Sequence, residues 1–192
     1  MAGTHVAFVR GINVGRAKRV AMSALRGVLE ALGHRDVRTL LNSGNAVFTS
    51  DRTSPARIAS EIEGAVLARL GVSARVVVLT RAELLGVVSE NPLRAVARDP
   101  TRLIVSLCRD AAALRAVRRL EREDWGDEAL TTGPLAAYLW CPKGILASAL
   151  APAVGRLMGE SATSRNLATL SKVEACLREA PPNGPSRKGG SK

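Results

Sequence analysis

Residues 6–13, Val6-Ala7-Phe8-Val9-Arg10-Gly11-Ile12-Asn13, decide the fold of this chain. The four apolar residues at the start predict a β-strand that is covered on both faces, because a strand with one exposed face alternates apolar and polar side chains. A basic loop with two glycines follows and continues to Arg19, and a helix is predicted to begin near Ala21. A strand, a cationic glycine-rich loop and a helix in this order can present backbone N–H groups and positive charge to an anion.

The rest of the first half extends this pattern. Apolar residues at helical spacing continue to Gly33, and a turn signal at residues 42–45 separates two short strand patterns. A helix with Ser54 as its N-cap is predicted to end at Gly71 and to be followed by another strand. The order β-α-β-β-α-β is that of the ferredoxin-like plait. The strands predicted after the first are 36–41, 46–49 and 74–79.

A similar order recurs in the second half. The sequence therefore predicts an α/β (α+β) protein of two ferredoxin-like βαββαβ plaits, of which the second is less regular. The predicted domains are an N-terminal lobe at 1–90, a C-terminal lobe at 101–179, and a disordered basic tail at 180–192 that is rich in Pro, Gly, Ser and Lys. The predicted elements of the C-terminal lobe are strands at 103–107, 128–130 and 135–140, helices at 110–121, 146–158 and 167–177, and a short extended piece around residue 162.

The composition is that of a globular, strongly basic protein. Hydrophobic residues make up 46% and charged residues 23% of the 192 residues, and the formal net charge is +11. Such a charge favours acidic partners such as nucleotides, nucleic acid or anionic lipid. The abundance of Arg and Ala is equally typical of a GC-rich genome, so the charge has both a functional and a compositional explanation.

Cysteine usage and hydropathy predict where the protein works. The chain has three widely spaced cysteines, Cys108, Cys141 and Cys176. An odd number without close spacing favours reduced thiols and a cytoplasmic protein. No stretch of about 18 uncharged apolar residues is present, so no membrane-spanning helix is predicted.

The strand order predicts one functional edge. In a ferredoxin-like sheet the first and second strands end at the same edge, so the loop after Val9 and the turn at 42–45 should lie together there. Glycines in both segments permit close approach of a ligand to the backbone. The alternative is that the glycines and asparagines only form a loop and a turn. The candidate ligand-binding residues at this edge are Arg10, Gly11, Asn13, Gly15, Arg16, Lys18, Arg19, Asn42, Ser43, Gly44 and Asn45.

These residues also carry a resemblance to a known family. The segments Arg10-Gly11-Ile12-Asn13-Val14-Gly15 and Ser43-Gly44-Asn45-Ala46-Val47-Phe48, with Met22 and Leu25 between them, resemble the bacterial domain-of-unknown-function family 1697. The resemblance extends from Val6 to about Leu177. It implies a fold of two ferredoxin-like α/β halves and implies no activity, since none is established for the family.

The C-terminal half departs from the family pattern. Where relatives carry a Gly-Arg-Ser-Lys-Leu-like segment, this chain has Leu146-Ala147-Ser148-Ala149-Leu150, so both basic side chains are missing. Of a later Thr-x-Arg-Asn-Trp-Asn-Thr pattern, Arg165 and Asn166 remain. The resemblance thus implies Ser148, Arg165 and Asn166 as further candidate ligand-binding residues, in a chain that has lost part of the relatives' positive charge.

Other chemistries receive less support. His5 and His34 are isolated from the cysteines, so no metal site and no cofactor are predicted, and His34 is expected to cap a helix or face solvent. Cys141 lies near Lys143, which could lower the pKa of its thiol, but a small apolar residue at a strand end is the simpler interpretation. The acidic run Glu121, Glu123, Asp124, Asp127 and Glu128 is expected to be a solvated loop, with binding of a cation as the alternative.

Three functions follow as hypotheses. The first is a cytoplasmic protein that binds a small anionic or polar molecule in a cleft between its two lobes. The second is sequence-independent nucleic-acid binding through a helix rich in arginine, although Phe8 and Phe48 are predicted to be core rather than base-stacking residues. The third is an enzyme acting on a phosphorylated metabolite, for which no nucleophile–base pair is visible. The arginines of that helix are Arg109, Arg115, Arg118, Arg119 and Arg122.

Overall fold

The computed structural model describes residues 2–13 and 19–180. The described residues divide into two compact units, one made of residues 2–13 and 19–81 with 175–180 and the other of residues 82–174. This division differs from the predicted lobes at two places. Helix 81–89 belongs almost entirely to the second unit rather than to the N-terminal lobe, and the end of the last helix belongs to the first. Of the predicted disordered tail at 180–192, Ala180 is buried and its backbone N–H donates to the Cys176 carbonyl at 3.2 Å, while residues 181–192 lie outside the described residues.

The first unit is a ferredoxin-like plait, as the sequence predicts. Its four strands form one antiparallel sheet in the order β2-β3-β1-β4, with two helices in the connections. In chain order its elements are β1 Gly3–Arg10, α1 Met22–Ala31, β2 Arg35–Leu40, β3 Asn45–Ser50, α2 Pro55–Leu70 and β4 Arg75–Thr80.

Local signals set the ends of α2 where they were expected. The Ser54 hydroxyl accepts a hydrogen bond from the Arg57 backbone N–H at 3.4 Å and Pro55 occupies the first helical position, both of which favour a helix start. Gly71 ends the helix in the left-handed conformation with φ 65°. A residue without a Cβ adopts that conformation at little cost.

Both faces of strands β1 and β3 of the first sheet are buried. Ala7, Val9 and Phe48 belong to the core cluster that contains the buried residues of α1 and α2. Val6 and Phe8, whose side chains alternate to the opposite face, have no exposed surface either. The prediction of a strand covered on both faces is confirmed, and both phenylalanines are core residues.

The second unit has the same strand order, β6-β7-β5-β8, and is also a ferredoxin-like plait. The piece around Ala162 is a full edge strand that pairs with β5. Irregularity lies in the helices, since the predicted helices at 110–121 and 146–158 are each part α-helix and part 3₁₀ helix. The elements from residue 81 onward are α3 Arg81–Ser89, β5 Leu103–Cys108, α4 Ala111–Arg118, β6 Ala129–Thr132, β7 Ala136–Trp140, α5 Leu150–Met158, β8 Ala162–Asn166 and α6 Leu167–Glu179.

The second sheet is also covered by helices. Helices α4 and α5 contribute Leu114 and Val154 to a core cluster with Ile104 and Leu139 of the sheet. Tyr138, on the other face, donates a buried hydrogen bond from its hydroxyl to the Val87 carbonyl of α3 at 3.1 Å. None of the helices within residues 2–13 and 19–180 is both long enough and apolar enough to cross a membrane.

Candidate functional site

The predicted convergence of two segments at one edge of the first sheet is present. Asn45, at the start of β3, pairs in register with Phe8 of β1 and with Leu40 of β2. The Val9 backbone N–H donates to the Gly44 carbonyl at 2.7 Å, so the turn between β2 and β3 contacts the end of β1 directly. The strand order therefore brings together polar segments that are about thirty residues apart in sequence.

Asn13 joins this loop to the turn. Its side-chain amide N–H groups donate to the Asn42 carbonyl at 2.9 Å and to the Val20 carbonyl at 3.1 Å, and its carbonyl oxygen accepts from the Val20 N–H at 2.8 Å. Both amide protons are thus used within the protein. Asn13 holds the two ends of the loop together, in a left-handed backbone conformation with φ 55° that asparagine tolerates well.

Asn45 has a similar internal role. It is fully buried, and its amide donates to the Leu40 carbonyl at 3.1 Å and to the Ser43 hydroxyl oxygen at 2.9 Å. These bonds hold the turn closed. A ligand at the surface would meet exposed Ser43 rather than Asn45.

Gly44 is required by close packing. A Cβ placed on it would lie 2.9 Å from Ile12 Cδ1 and 3.0 Å from both Cβ and the carbonyl oxygen of Val9. Its φ of 73° is in the left-handed region. Gly11 also has a positive φ, 86°, at the point where the chain leaves β1.

Positive charge remains exposed at this edge. Arg10 and Arg19 are both exposed, and Arg19 directly precedes Val20, which is bonded to Asn13. Arg10 lies opposite Arg75 of β4 in the sheet register, so the two guanidinium groups extend from facing positions. The Glu63 carboxylate is 3.6 Å from Arg75 and accepts from the Val76 N–H at 2.7 Å, so it offsets part of this charge.

The candidate residues Gly15, Arg16 and Lys18 lie outside the described residues, in the gap between 13 and 19.

The candidates of the second unit have local contacts of their own. Ser148 is buried; its hydroxyl donates to Glu128 Oε2 at 3.0 Å and accepts from the Ala151 N–H at 2.8 Å. Asn166 Oδ1 accepts from the Thr169 N–H at 2.8 Å at the start of α6, which is the geometry of a helix cap.

Arg165 lies within the edge strand β8. Its Nη1 donates to the Thr163 hydroxyl at 2.9 Å and to the Ser164 carbonyl at 2.8 Å. Burial lowers the pKa of its guanidinium to about 10, which still leaves it charged at neutral pH.

The Cys141 thiol lies in an environment that disfavours its reactive thiolate form. Burial raises the pKa of the Cys141 thiol, against the opposing effect of its hydrogen bond to Ser148, and Glu128 adds a smaller increase. The lowered thiol pKa considered from the sequence is therefore wrong, and the structural interpretation of Cys141 is supported. Within residues 2–13 and 19–180 no three His, Cys, Asp or Glu side chains are grouped as metal ligands.

Comparison with known proteins identifies the family. Residues 2–138 match the model of a family described as a protein of unknown function, DUF1697. The chain belongs to the DUF1697 family. The match to the DUF1697 model ends within β7, earlier than the resemblance to about Leu177 that the motifs indicated.

A solved structure supports the fold of this DUF1697 protein. It is that of the conserved bacterial protein SP0830 from Streptococcus pneumoniae, with a TM-score of 0.75 over 92% of this chain and 99% of that chain. The sequence identity is 24%, so the similarity establishes the fold alone. No curated protein matches the chain.

The sequence did not indicate two features of this DUF1697 protein. Arg75 reaches the candidate edge only through the register of β1 with β4, which no local motif signals. The acidic run was expected to be a solvated loop, and this is wrong for Glu128. Glu128 Oε2 accepts from the Ser148 hydroxyl and from the Leu150 N–H at 2.9 Å, so this carboxylate lies at the start of α5.

Proposed function

We propose that this protein binds a small anionic molecule at the edge of the first sheet where β1 ends. The hydrogen bond between the Asn13 side chain and the Asn42 carbonyl carries the proposal, because it holds the Gly11–Asn13 loop against the Leu41–Gly44 turn beside exposed Arg10. A binding surface built on fixed backbone loses less entropy when a ligand binds than one that must first become ordered.

The facing arginines support an anionic ligand. Like charges at directly opposite positions of neighbouring strands destabilise a sheet, and an anion bound beside Arg10 and Arg75 would relieve that repulsion. Guanidinium groups suit phosphate and carboxylate because their planar set of donors matches two oxygens at once. Arg19, which directly precedes Val20, adds a third exposed positive charge. The ligand class is therefore small phosphates, phosphorylated metabolites or carboxylates.

Thermal denaturation tests this proposal. The full chain is heated with inorganic phosphate, pyrophosphate and nucleoside triphosphates, each against sodium chloride of matched ionic strength. A ligand present at ten times its Kd adds about 1.4 kcal/mol to the free energy of unfolding. For a chain of this size that corresponds to an increase in Tm of roughly 3–5 °C.

Two matched variants locate the effect. We expect Arg10→Gln to remove most of the increase in Tm. Arg26→Gln, which removes the same charge from an exposed position of α1, should retain it. Equal responses of the two variants, or no anion that stabilises the wild type, would show that this edge is not a ligand site.

Sequence-independent nucleic-acid binding is a second candidate, favoured by the exposed arginines of α4 and the turn after it. The exposed arginines are Arg115, Arg118, Arg119 and Arg122. Because Phe8 and Phe48 are buried and cannot stack on bases, nucleic acid would be bound through its phosphates. We expect a gel-shift Kd for single-stranded DNA to weaken by roughly tenfold or more between 50 and 200 mM salt. Arg115→Gln with Arg119→Gln should abolish the shift, and binding that is independent of salt or unchanged in this variant rules the candidate out.

The enzyme alternative gains no support from the two groups closest to a nucleophile. The Ser148 hydroxyl is buried and hydrogen-bonded on both sides at the start of α5. The Cys141 thiol has a raised pKa and so is a poor source of thiolate.

A further inference from the structure

The second unit contains a pocket of about 280 Å³, which no predicted function uses. It lies beside the start of α5, and its lining combines an aromatic ring, two carboxylates, one lysine and small apolar residues. This volume is near the lower end of the range for ligand pockets, ~300–1,000 Å³, and suits a small fragment or a single side chain.

Glu128 supplies the pocket with a fixed negative charge. Its Oε2 accepts hydrogen bonds from the Ser148 hydroxyl at 3.0 Å and from the Leu150 N–H at 2.9 Å, which hold the carboxylate in one orientation. Its other oxygen, Oε1, accepts no hydrogen bond from any residue that the structure describes. A positively charged donor in the pocket could therefore bind Oε1 without displacing either protein contact.

Trp125 supplies a fixed aromatic surface. Its indole N–H donates to the Leu120 carbonyl at 2.8 Å, so the ring is held from one side while it also lines the pocket. An indole is the side chain that attracts a cation most strongly through its π face. A carboxylate and an indole in one pocket favour a ligand that is both organic and cationic.

The surroundings have the same electrostatic preference. Five of the 17 acidic residues of this basic chain lie between residues 121 and 128. Asp127 and Lys143 form an exposed ion pair at 3.4 Å among the lining residues, with each side chain 75% exposed. Lys143 thus competes for Asp127 with any cationic ligand.

We propose that this pocket binds a small organic cation, of the class of primary alkylammonium and alkylguanidinium groups. The charged head contacts Oε1 of Glu128 and the face of Trp125. The alkyl part packs on Pro142 and on the short side chains of Ala147 and Ala149, which leave the space that the ligand occupies.

Nitrogen–proton correlation spectra of the labelled full chain provide the test. The probes are n-butylguanidinium and n-butylammonium chloride, with n-butanol as the neutral control and butyrate as the anionic one. We expect saturable shifts of the Trp125 and Gly126 signals with both cations. The expected Kd is on the order of 1 mM, because ligands with so few non-hydrogen atoms bind weakly. Neither control compound should produce saturable shifts.

Two variants of pocket residues are expected to change the affinity for the cations in opposite directions. Lys143→Ala should tighten cation binding by about threefold, because it frees Asp127 and removes a like charge. Glu128→Gln keeps an acceptor oxygen for Ser148 and Leu150 but should weaken binding at least about fivefold. Lys172→Ala, which removes an exposed charge of the same unit away from the pocket, should change nothing.

Three outcomes would overturn the proposal. The first is no saturable shift with either cation in the wild type. The second is equal response to n-butanol, which would mean an apolar pocket only. The third is cation binding that is weaker in Lys143→Ala than in the wild type, or butyrate binding by the wild type that Lys143→Ala removes. Because Lys143 is highly exposed, that variant answers the question even if Glu128→Gln does not fold.

Discussion

At the scale of single residues, Gly44 shows how one position can determine both a turn and a candidate site. Its backbone conformation is left-handed, and its missing Cβ leaves room for Ile12 and for the carbonyl of Val9. Gly33 has a similar φ of 85° but no atom within 4 Å of where its Cβ would be. Comparing substitutions at the two glycines therefore separates the loss of stability due to backbone conformation from the loss due to packing.

We therefore expect Gly44→Ala to lower the free energy of unfolding by about 3 kcal/mol, and Gly33→Ala by about 1 kcal/mol, because only the first variant adds a backbone clash to the strained φ. Urea unfolding followed by circular dichroism measures both values. Both tryptophans, Trp125 and Trp140, lie in the second unit, so their fluorescence is an internal control that reports on that unit. Equal losses in the two variants would contradict the packing explanation.

Residue types alone did not show the internal contacts of the two asparagines. Asn13 and Asn45 were predicted to contact a ligand, and that stays a prediction. In the structure the amide protons of both bond to backbone or neighbouring side chains. A polar residue in a glycine-rich loop has the same sequence signature whether it binds a ligand or closes the loop. Only the three-dimensional contacts separate the two roles.

At the scale of elements, strands and helices were predictable where periodicity and caps agree. Strand β1 is apolar at four successive positions, and α2 has both an N-cap serine and a terminal glycine, so both were located to within a few residues. The α4 region has an N-cap aspartate but no terminal glycine, and the α5 region has a terminal glycine but no N-cap side chain. Their predicted continuous helices include 3₁₀ segments, Arg119–Arg122 and Ile145–Ala147, because local periodicity does not distinguish the two helix types.

Long-range pairing explains what the sequence could and could not show of the sites. The strand order of the plait follows from element order, so the convergence of residues 10–13 with 42–45 was predictable. The contact of Glu128 with the start of α5 spans about twenty residues and depends on how a loop folds back on a helix. Nothing in the acidic run distinguishes Glu128 from its solvated neighbours, and the pocket beside it was therefore missed.

At the scale of the whole molecule, the chain is strongly basic and holds its two histidines inside the first unit. The formal net charge is +11 with both histidines neutral, and lower pH only adds positive charge. His34 was expected to cap a helix or face solvent, and this is wrong: it is 3% exposed, with its ring 4.6 Å from that of Phe48. Neither ring nitrogen of His34 has a hydrogen-bond partner among the described residues.

Such a site disfavours the protonated imidazole. Burial is the largest cause that lowers the pKa of His34 to about 4, Arg52 and His5 lower it further, and Glu61 opposes them. Because the unfolded chain binds a proton near pH 6.5 and the folded chain only near pH 4, unfolding takes up a proton between these values. Stability contributed by neutral His34 is thus complete above pH 6.5 and is lost as the pH falls towards 4.

We expect the free energy of unfolding of the first unit to fall by about 2 kcal/mol between pH 7 and pH 5 on account of His34 alone. The His34→Leu variant has no group to protonate at this position. Its free energy of unfolding should therefore fall by about 2 kcal/mol less than that of the wild type over the same interval. Amide hydrogen exchange of α1 and β3 measures the first unit directly, because tryptophan fluorescence reports only on the second. If both proteins lose stability equally, acid acts through the carboxylates and the buried imidazole is not the sensitive group.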